Sequence, residues 1–185
     1  MKTTAAPPSV IAAAALFTGV VVVLGYVLLG IWPALLFAFG FVGGLVLWMA
    51  IPARPSFTTI RAPYFVALAL FVVHKAEERY LDFFPALSRL TGVPMPDTGS
   101  VWVYALYACA CGWLLIPWLV GRGSPFGYFL AWTFFASMGL TELAHFLFPL
   151  LTTGPLDYFP GLASAALLVP AGWWGLWRMA RSPKA

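Results

Sequence analysis

Two short clusters of histidine and glutamate interrupt segments that otherwise have the composition of membrane-spanning helices. The first is His74-Lys75-Ala76-Glu77-Glu78 and the second is Glu142-Leu143-Ala144-His145. Together they contain both histidines of the chain and three of its six acidic residues. Ionisable groups are costly to bury in a bilayer unless they are paired, hydrated, bound to a metal or engaged in chemistry. The two clusters therefore predict a functional site.

Helical spacing brings the polar groups of each cluster to one side of its helix. His74 and Glu78 are four residues apart, Glu77 follows the histidine by three, and Glu142 and His145 are also three apart. If the two helices face each other, they offer two imidazoles and up to three carboxylates, a donor set suited to zinc, iron or manganese. We predict a divalent metal site with these ligands: His74, Glu77, Glu78, Glu142 and His145.

The same groups allow chemistry without a metal. A carboxyl group and an ionised neighbour form an acid and base pair, which would support isomerase or cyclase chemistry. The catalytic residues predicted on either mechanism are His74, Glu77, Glu78 and Glu142. A haem held by the two imidazoles is the disfavoured alternative, because three glutamates lie beside those ligands.

A purely structural interpretation also exists for the first cluster. Lys75 and Arg79 are four residues apart beside the glutamates, and Asp82 follows within a turn. Charged groups so close together can form a network of salt bridges with no catalytic role. For these three residues we favour that role, either orienting the glutamates or reaching the membrane interface.

The composition is that of an integral membrane protein. Hydrophobic residues make up 62% of the 185 residues, charged residues make up 9%, and the mean hydropathy is +0.92. So few polar side chains cannot cover the surface of a soluble domain of this size. The net charge of +4 does not indicate nucleic-acid binding, because the ten basic residues are scattered at the ends of apolar runs.

The expected fold is an all-α polytopic membrane helical bundle forming a single domain over residues 1–185. Six apolar segments are long enough to cross a bilayer. We expect the third to begin near Pro63 and to end where Pro85 follows, with a polar loop over residues 86–100. The predicted spans cover residues 9–29, 32–51, 63–84, 101–120, 126–150 and 158–177.

Basic residues predict the orientation. If the amino terminus is inside, seven of them fall on the cytoplasmic side and only Arg89 lies in an outer loop. The cytoplasmic set is Lys2, Arg54, Arg61, Arg122, Arg178, Arg181 and Lys184. We therefore expect both termini to be cytoplasmic, in a bacterial inner membrane. The third and fifth spans then run in the same direction, which places the two clusters at overlapping depths.

These residues resemble a known family. The run from His74 to Glu78 looks like the signature of the HXXEE-motif integral membrane proteins, and the resemblance extends to the second cluster and to Tyr158-Phe159-Pro160-Gly161-Leu162. It implies a polytopic membrane protein with a site at these motifs and no established activity. A weaker similarity, through His74, Glu78 and Glu142, is to the emopamil-binding sterol isomerase and sigma-2 receptor group.

The function favoured by these features is an intramembrane enzyme with a lipid-like or isoprenoid substrate that enters from the bilayer. It would be a metal-dependent hydrolase or an acid/base isomerase, and its partner is a membrane lipid or another apolar small molecule, with no nucleic acid. The alternative is a non-enzymatic transporter, or an ion- or lipid-binding protein, that uses the same cluster.

Overall fold

A computed structural model describes residues 6–151 and 158–182. In these ranges the chain is helical and contains no strand, which confirms the all-α class. Two 3₁₀ turns, Gly112–Leu115 and Thr141–Leu143, interrupt longer helical segments. The helices are α1 (Pro8–Leu29), α2 (Ile31–Ala50), α3 (Phe57–Tyr80), α4 (Phe83–Thr91), α5 (Val101–Cys111), α6 (Ile116–Gly121), α7 (Pro125–Leu140), α8 (Ala144–Leu151) and α9 (Leu162–Ala180).

Five segments in the described part of the chain are long and apolar enough to cross a membrane. They are Pro8–Leu29, Ile31–Ala50, Phe57–Tyr80, Val101–Gly121 and Pro125–Leu151. Five of the six predicted spans correspond to them. The sixth corresponds to α9, whose 19 residues include three tryptophans, two glycines and a proline, so its hydropathy is lower than that of the others.

Helix α7 lies at the centre of the bundle. Nearly every side chain from Gly127 to Gly139 is buried, and α7 packs against α2, α6 and α9, while α9 also packs against α3. Close approach to α2 requires a glycine: a Cβ on Gly44 would lie 2.6 Å from the Cα of Thr133. The outer helices expose large apolar side chains such as Val72, as lipid-facing helices do.

Helix α3 begins earlier than predicted. Pro63 was expected in its first turn, but the helix starts at Phe57 and Pro63 lies inside it. A proline has no N–H for the carbonyl four residues before it, so Thr59 loses its partner within the helix. The Nε of Arg178, at the end of α9, donates to that carbonyl at 3.1 Å. A donor distant in sequence therefore satisfies the carbonyl that Pro63 leaves free.

The predicted end of the third span and the loop after it were also wrong. Helix α3 ends at Tyr80, and Asp82 two residues later takes a left-handed conformation with φ 57°, which does not continue an α-helix. A short helix, α4, then occupies much of the expected loop. Most of the link between the fifth and sixth predicted spans lies outside the described residues, as do Lys2 and Lys184, which contributed to the predicted orientation.

The predicted fifth span is not one continuous helix. Helix α7 ends at Leu140, the turn Thr141–Leu143 is 3₁₀, and α8 resumes at Ala144. Glu142 lies in the 3₁₀ turn and His145 in the first turn of α8. Short 3₁₀ insertions of this kind often mark functional positions in helices. The change from α-helical to 3₁₀ geometry therefore affects the direction in which the side chains of Glu142 and His145 point.

Candidate metal centre

The two clusters meet in one buried group of four side chains. His74 and Glu78 come from α3, and Glu142 and His145 come from the α7–α8 junction; all four are at most 8% exposed. One ligand atom from each residue lies within 4.8 Å of the others. This group could hold a metal ion, and we call these four side chains the metal group. The predicted convergence of the two clusters is therefore confirmed for four of the five proposed ligands.

The nitrogens and oxygens of the group are close neighbours. Nε2 of His74 lies 3.2 Å from Oε1 of Glu78 and 3.0 Å from Oε2 of Glu142. Nε2 of His145 lies 3.4 Å and 3.3 Å from the same two oxygens. With metal–ligand bonds of about 2.0–2.1 Å, tetrahedral ligands are separated by about 3.3 Å and adjacent octahedral ones by about 3.0 Å. The four nitrogen–oxygen distances of the group are close to these separations.

Each imidazole is oriented by a hydrogen bond on its other nitrogen. Nδ1 of His145 lies 2.8 Å from the carbonyl oxygen of Pro160, which can only accept, so Nδ1 carries the proton. Nδ1 of His74 lies 2.9 Å from Oγ of Ser164, and that hydroxyl donates to the carbonyl of Gly161. His74 therefore also donates from Nδ1. In the neutral rings both Nε2 lone pairs point into the group, as in metal-binding histidines.

Four acceptor atoms facing one another require positive charge among them. Protons on the imidazoles or a metal ion could supply it. In the part of the chain that the structure describes, Nε2 of His74 is buried without a hydrogen-bond partner, although carboxylate oxygens of Glu78 and Glu142 lie 3.2 and 3.0 Å away. A proton there would stay poorly satisfied, whereas a cation between the four atoms would not. The donor set therefore fits a divalent metal.

Glu77 is not part of this group, although it was a predicted ligand and catalytic residue. Its carboxylate accepts hydrogen bonds from the backbone N–H of Ser164 at 2.8 Å and of Ala163 at 3.3 Å, and from the hydroxyl of Tyr158. These amides belong to the first turn of α9 and have no partner within that helix. Because Glu77 and Glu78 are consecutive on a helix, their side chains diverge by about 100°. Glu77 thus caps α9, while Glu78 points towards His74 and His145.

The N-terminus of α9 lies directly over the two imidazoles. Gly161, with φ +93°, precedes the helix, and a Cβ there would lie 2.5 Å from Cε1 of His145 and 2.7 Å from Cε1 of His74. Only glycine fits both the conformation and the space. The residue types of Pro160, Gly161 and Ser164 did not predict these roles. The only available signal was the Tyr158–Leu162 stretch that contributed to the family resemblance.

Lys75 is the charged residue next to the metal group. Its Nζ lies 2.6 Å from Oε2 of Glu78, the oxygen that does not face the imidazoles, and its side chain is 43% exposed. Asp82 has the left-handed backbone conformation between α3 and α4. The orienting role expected for Lys75 is therefore consistent with its contact to Glu78.

A cavity of about 510 Å³ adjoins the metal group. Glu78, Glu142 and His145 form part of its wall, whereas His74 is fully buried behind them. Most of the remaining wall is apolar and comes from α1, α2, α4, α5 and α8; it includes Leu36, Phe37, Phe83, Leu87, Leu106 and Phe148. The metal group therefore has one face open to a cavity large enough for a small-molecule ligand.

Comparisons with known proteins provide no further assignment. No family model, no curated protein and no solved structure matches the chain. The two imidazole rings are 4.7 Å apart between centroids and nearly perpendicular, which leaves no room for a porphyrin between them. The features that indicate function are accordingly the metal group and the adjoining cavity.

Proposed function

We propose that this protein is an intramembrane metal-dependent hydrolase with an amphiphilic, lipid-like substrate. The observation that carries the proposal is the position of the buried His74, Glu78, Glu142 and His145 group at the wall of a largely apolar cavity. A purely structural metal site is closed on all sides, whereas a catalytic one keeps a face open to substrate. Here three of the four residues line the cavity.

The cavity lies among helices with the length and composition of membrane spans. An apolar chain could therefore pass from the bilayer to the site without crossing water. A bound divalent ion would supply Lewis acidity and lower the pKa of a water molecule. The residues of the chain would hold that ion, exclude bulk water and present Glu142 as a nearby carboxylate that can accept a proton.

The supporting side chains should keep the metal group in position. Pro160 and Ser164 orient the two imidazoles, and Glu77 anchors the first turn of α9, which carries Ser164. Lys75 holds the second oxygen of Glu78 and so directs the first oxygen towards the imidazoles. Such outer contacts commonly change metal affinity by about 10–100-fold. The residues of the HxxEE motif would then have different roles. His74 and Glu78 would bind the metal, and Glu77 would hold the first turn of α9, which supports the site.

On the shared motifs we also propose that the chain is related to the HXXEE-motif membrane proteins. Six spans with both termini cytoplasmic, α9 being the sixth, are part of the same proposal. The distribution of basic residues supports this topology. Placement in a bacterial inner membrane remains a prediction from the sequence.

Elemental analysis tests the proposed function most directly. Protein purified in detergent without chelators should contain about one zinc, iron or manganese ion per chain. Variants His145→Ala and Glu142→Gln should lose it, with affinities lower by more than about 100-fold. Asp97→Asn is the matched control, because Asp97 is an exposed acid whose described contact is to the N–H of Gly99.

Turnover is tested separately by comparing lipid extracts. Cells that express the wild-type protein should contain a cleaved amphiphile that cells with Glu142→Gln lack. If purified wild-type protein holds no more metal than His145→Ala, the metal enzyme is refuted. If the metal is present and no lipid changes, the site binds an ion without hydrolysing such a substrate.

A further inference from the structure

The cavity wall carries a second polar group besides the metal ligands. Lys75 and Arg79 are four residues apart on α3, and both line the cavity. The side chain of Lys75 is 43% exposed, and Arg79 is exposed at the last turn of the helix. The hydroxyl-bearing side chain of Tyr107, on α5, lines the same cavity and is 48% exposed. Three side chains with hydrogen-bond donors therefore line an otherwise largely apolar cavity.

Among the residues that the structure describes, the positive charge of this wall is only partly paired. Lys75 is paired with Glu78, but Arg79 forms no hydrogen bond or ion pair with any residue in the described ranges. Asp82 lines the cavity too, yet it is not within ion-pairing distance of Arg79 in that part of the chain. Once a divalent ion balances Glu78 and Glu142, Lys75 and Arg79 outnumber Asp82, the remaining acid among the described residues of the wall. The cavity then attracts an anion.

We propose that the substrate is an anionic amphiphile whose phosphate or carboxylate head group binds Arg79 and Lys75, while its chain lies along the apolar wall. This inference rests on the proposed function for the location of the reacting bond, since the head group would lie beside the metal group. A guanidinium suits either anion, because its planar N–H groups match two oxygens at once. The apolar side, which includes Leu36, Phe37 and Leu106, suits an acyl or isoprenoid chain.

Binding of defined single-chain probes tests this inference. Radiolabelled dodecyl phosphate and dodecanoate would be titrated into the full chain in nanodiscs of zwitterionic lipid, with dodecanol as the neutral probe. Wild-type protein should bind both anions at least about tenfold more tightly than the alcohol. Arg79→Gln should remove most of that difference and leave dodecanol binding unchanged. Inorganic phosphate should compete weakly with dodecyl phosphate if the alkyl chain of the probe contributes to binding, and fully if the site binds a free anion.

Arg89→Gln is the matched control. Arg89 is an exposed arginine on α4 that does not line the cavity, so its loss removes the same charge from the chain without touching the cavity. Equal effects of Arg79→Gln and Arg89→Gln, or equal binding of alcohol and anions, would overturn the proposal. A Lys75→Gln variant gives a second measurement should Arg79→Gln fail to fold.

The same titration separates this inference from the proposed function. Metal-loaded protein that binds the alcohol as well as the anions keeps the metal enzyme and refutes the anionic substrate. Charge-selective binding that depends on Arg79, in a protein that never retains a metal, supports the anion site and refutes the hydrolase. Both results are read from binding and metal content, not from activity.

Discussion

The tightest test of the metal centre is a methyl group added to Gly161. In Gly161→Ala the new Cβ would lie 2.5 Å from Cε1 of His145, 2.7 Å from its Nδ1 and 2.7 Å from Cε1 of His74. Ordinary contacts begin near 3.4 Å, so the imidazoles or the backbone must retreat by roughly 0.7–0.9 Å. Metal–ligand bonds tolerate only about 0.2 Å. We expect metal affinity to fall by at least about 10–100-fold.

Gly161→Ala should also be less stable because of its backbone conformation. A residue with a side chain costs about 1–2 kcal/mol at positive φ, and Gly161 has φ +93°. Gly92→Ala is the matched control, because Gly92 has φ +71° and nothing lies within 4 Å of a Cβ placed there. Both variants should lose a similar amount of stability from strain. Only Gly161→Ala should also lose the metal.

Competition with a chelator of known affinity measures the metal, and unfolding in increasing SDS measures the stability. Gly161→Ala protein that binds metal as tightly as the wild type would refute the proposed position of the two imidazoles. If Gly92→Ala lost the metal to the same extent, strain rather than contact with the ligands would explain the effect.

Three further predictions concern the contacts that support the site. Arg178→Met should lower the free energy of unfolding by about 1–3 kcal/mol, because Arg178 supplies the donor that Pro63 lacks. In SDS titrations this loss of stability should be smaller in a Pro63→Ala background, and an equal loss in both backgrounds would contradict the explanation. Glu77→Gln should reduce metal affinity by about tenfold in chelator competition, far less than loss of a ligand; a complete loss of metal would mean that Glu77 is itself a ligand. Gly44→Ala should destabilise the bundle by about 1–3 kcal/mol, since the new Cβ would clash with backbone atoms of α7. Gly43→Ala should be neutral, because the nearest atom to its new Cβ is a side-chain carbon at 3.8 Å. Similar unfolding midpoints for the two variants would refute this packing.

The membrane character and most spans could be predicted from sequence alone. Runs of about 20 apolar residues leave few alternatives in a bilayer, so the bounds of α1 and α2 agree with the prediction to within one residue. The prediction was wrong where a distant residue decides the local structure. A proline is common in the first turn of a helix. Here, however, Arg178 donates to the Thr59 carbonyl that Pro63 leaves without a partner, and α3 starts at Phe57.

The candidate site was predictable in its ligands but not in its supports. Histidines and glutamates in apolar segments are conspicuous, and helical spacing groups His74 with Glu78 and Glu142 with His145. Spacing cannot decide which way each carboxylate of a consecutive pair points when both directions meet other helices. Glu77 could equally have faced the metal, and only the position of α9 determines that it does not. Backbone groups such as the carbonyl of Pro160 carry no signal in the sequence at all.

The order of the site's parts along the chain has a consequence for biosynthesis. Ser164 follows His74 by 90 residues, and the carbonyl that orients His145 is 15 residues further along than that histidine. While the ribosome is still translating the middle of the message, α3 already brings an imidazole and carboxylates into the bilayer without their later partners. The nascent chain must therefore tolerate these groups near the translocon, or keep them hydrated there, until α9 docks. Retention by the insertion machinery until the last described helix emerges would follow directly from this layout.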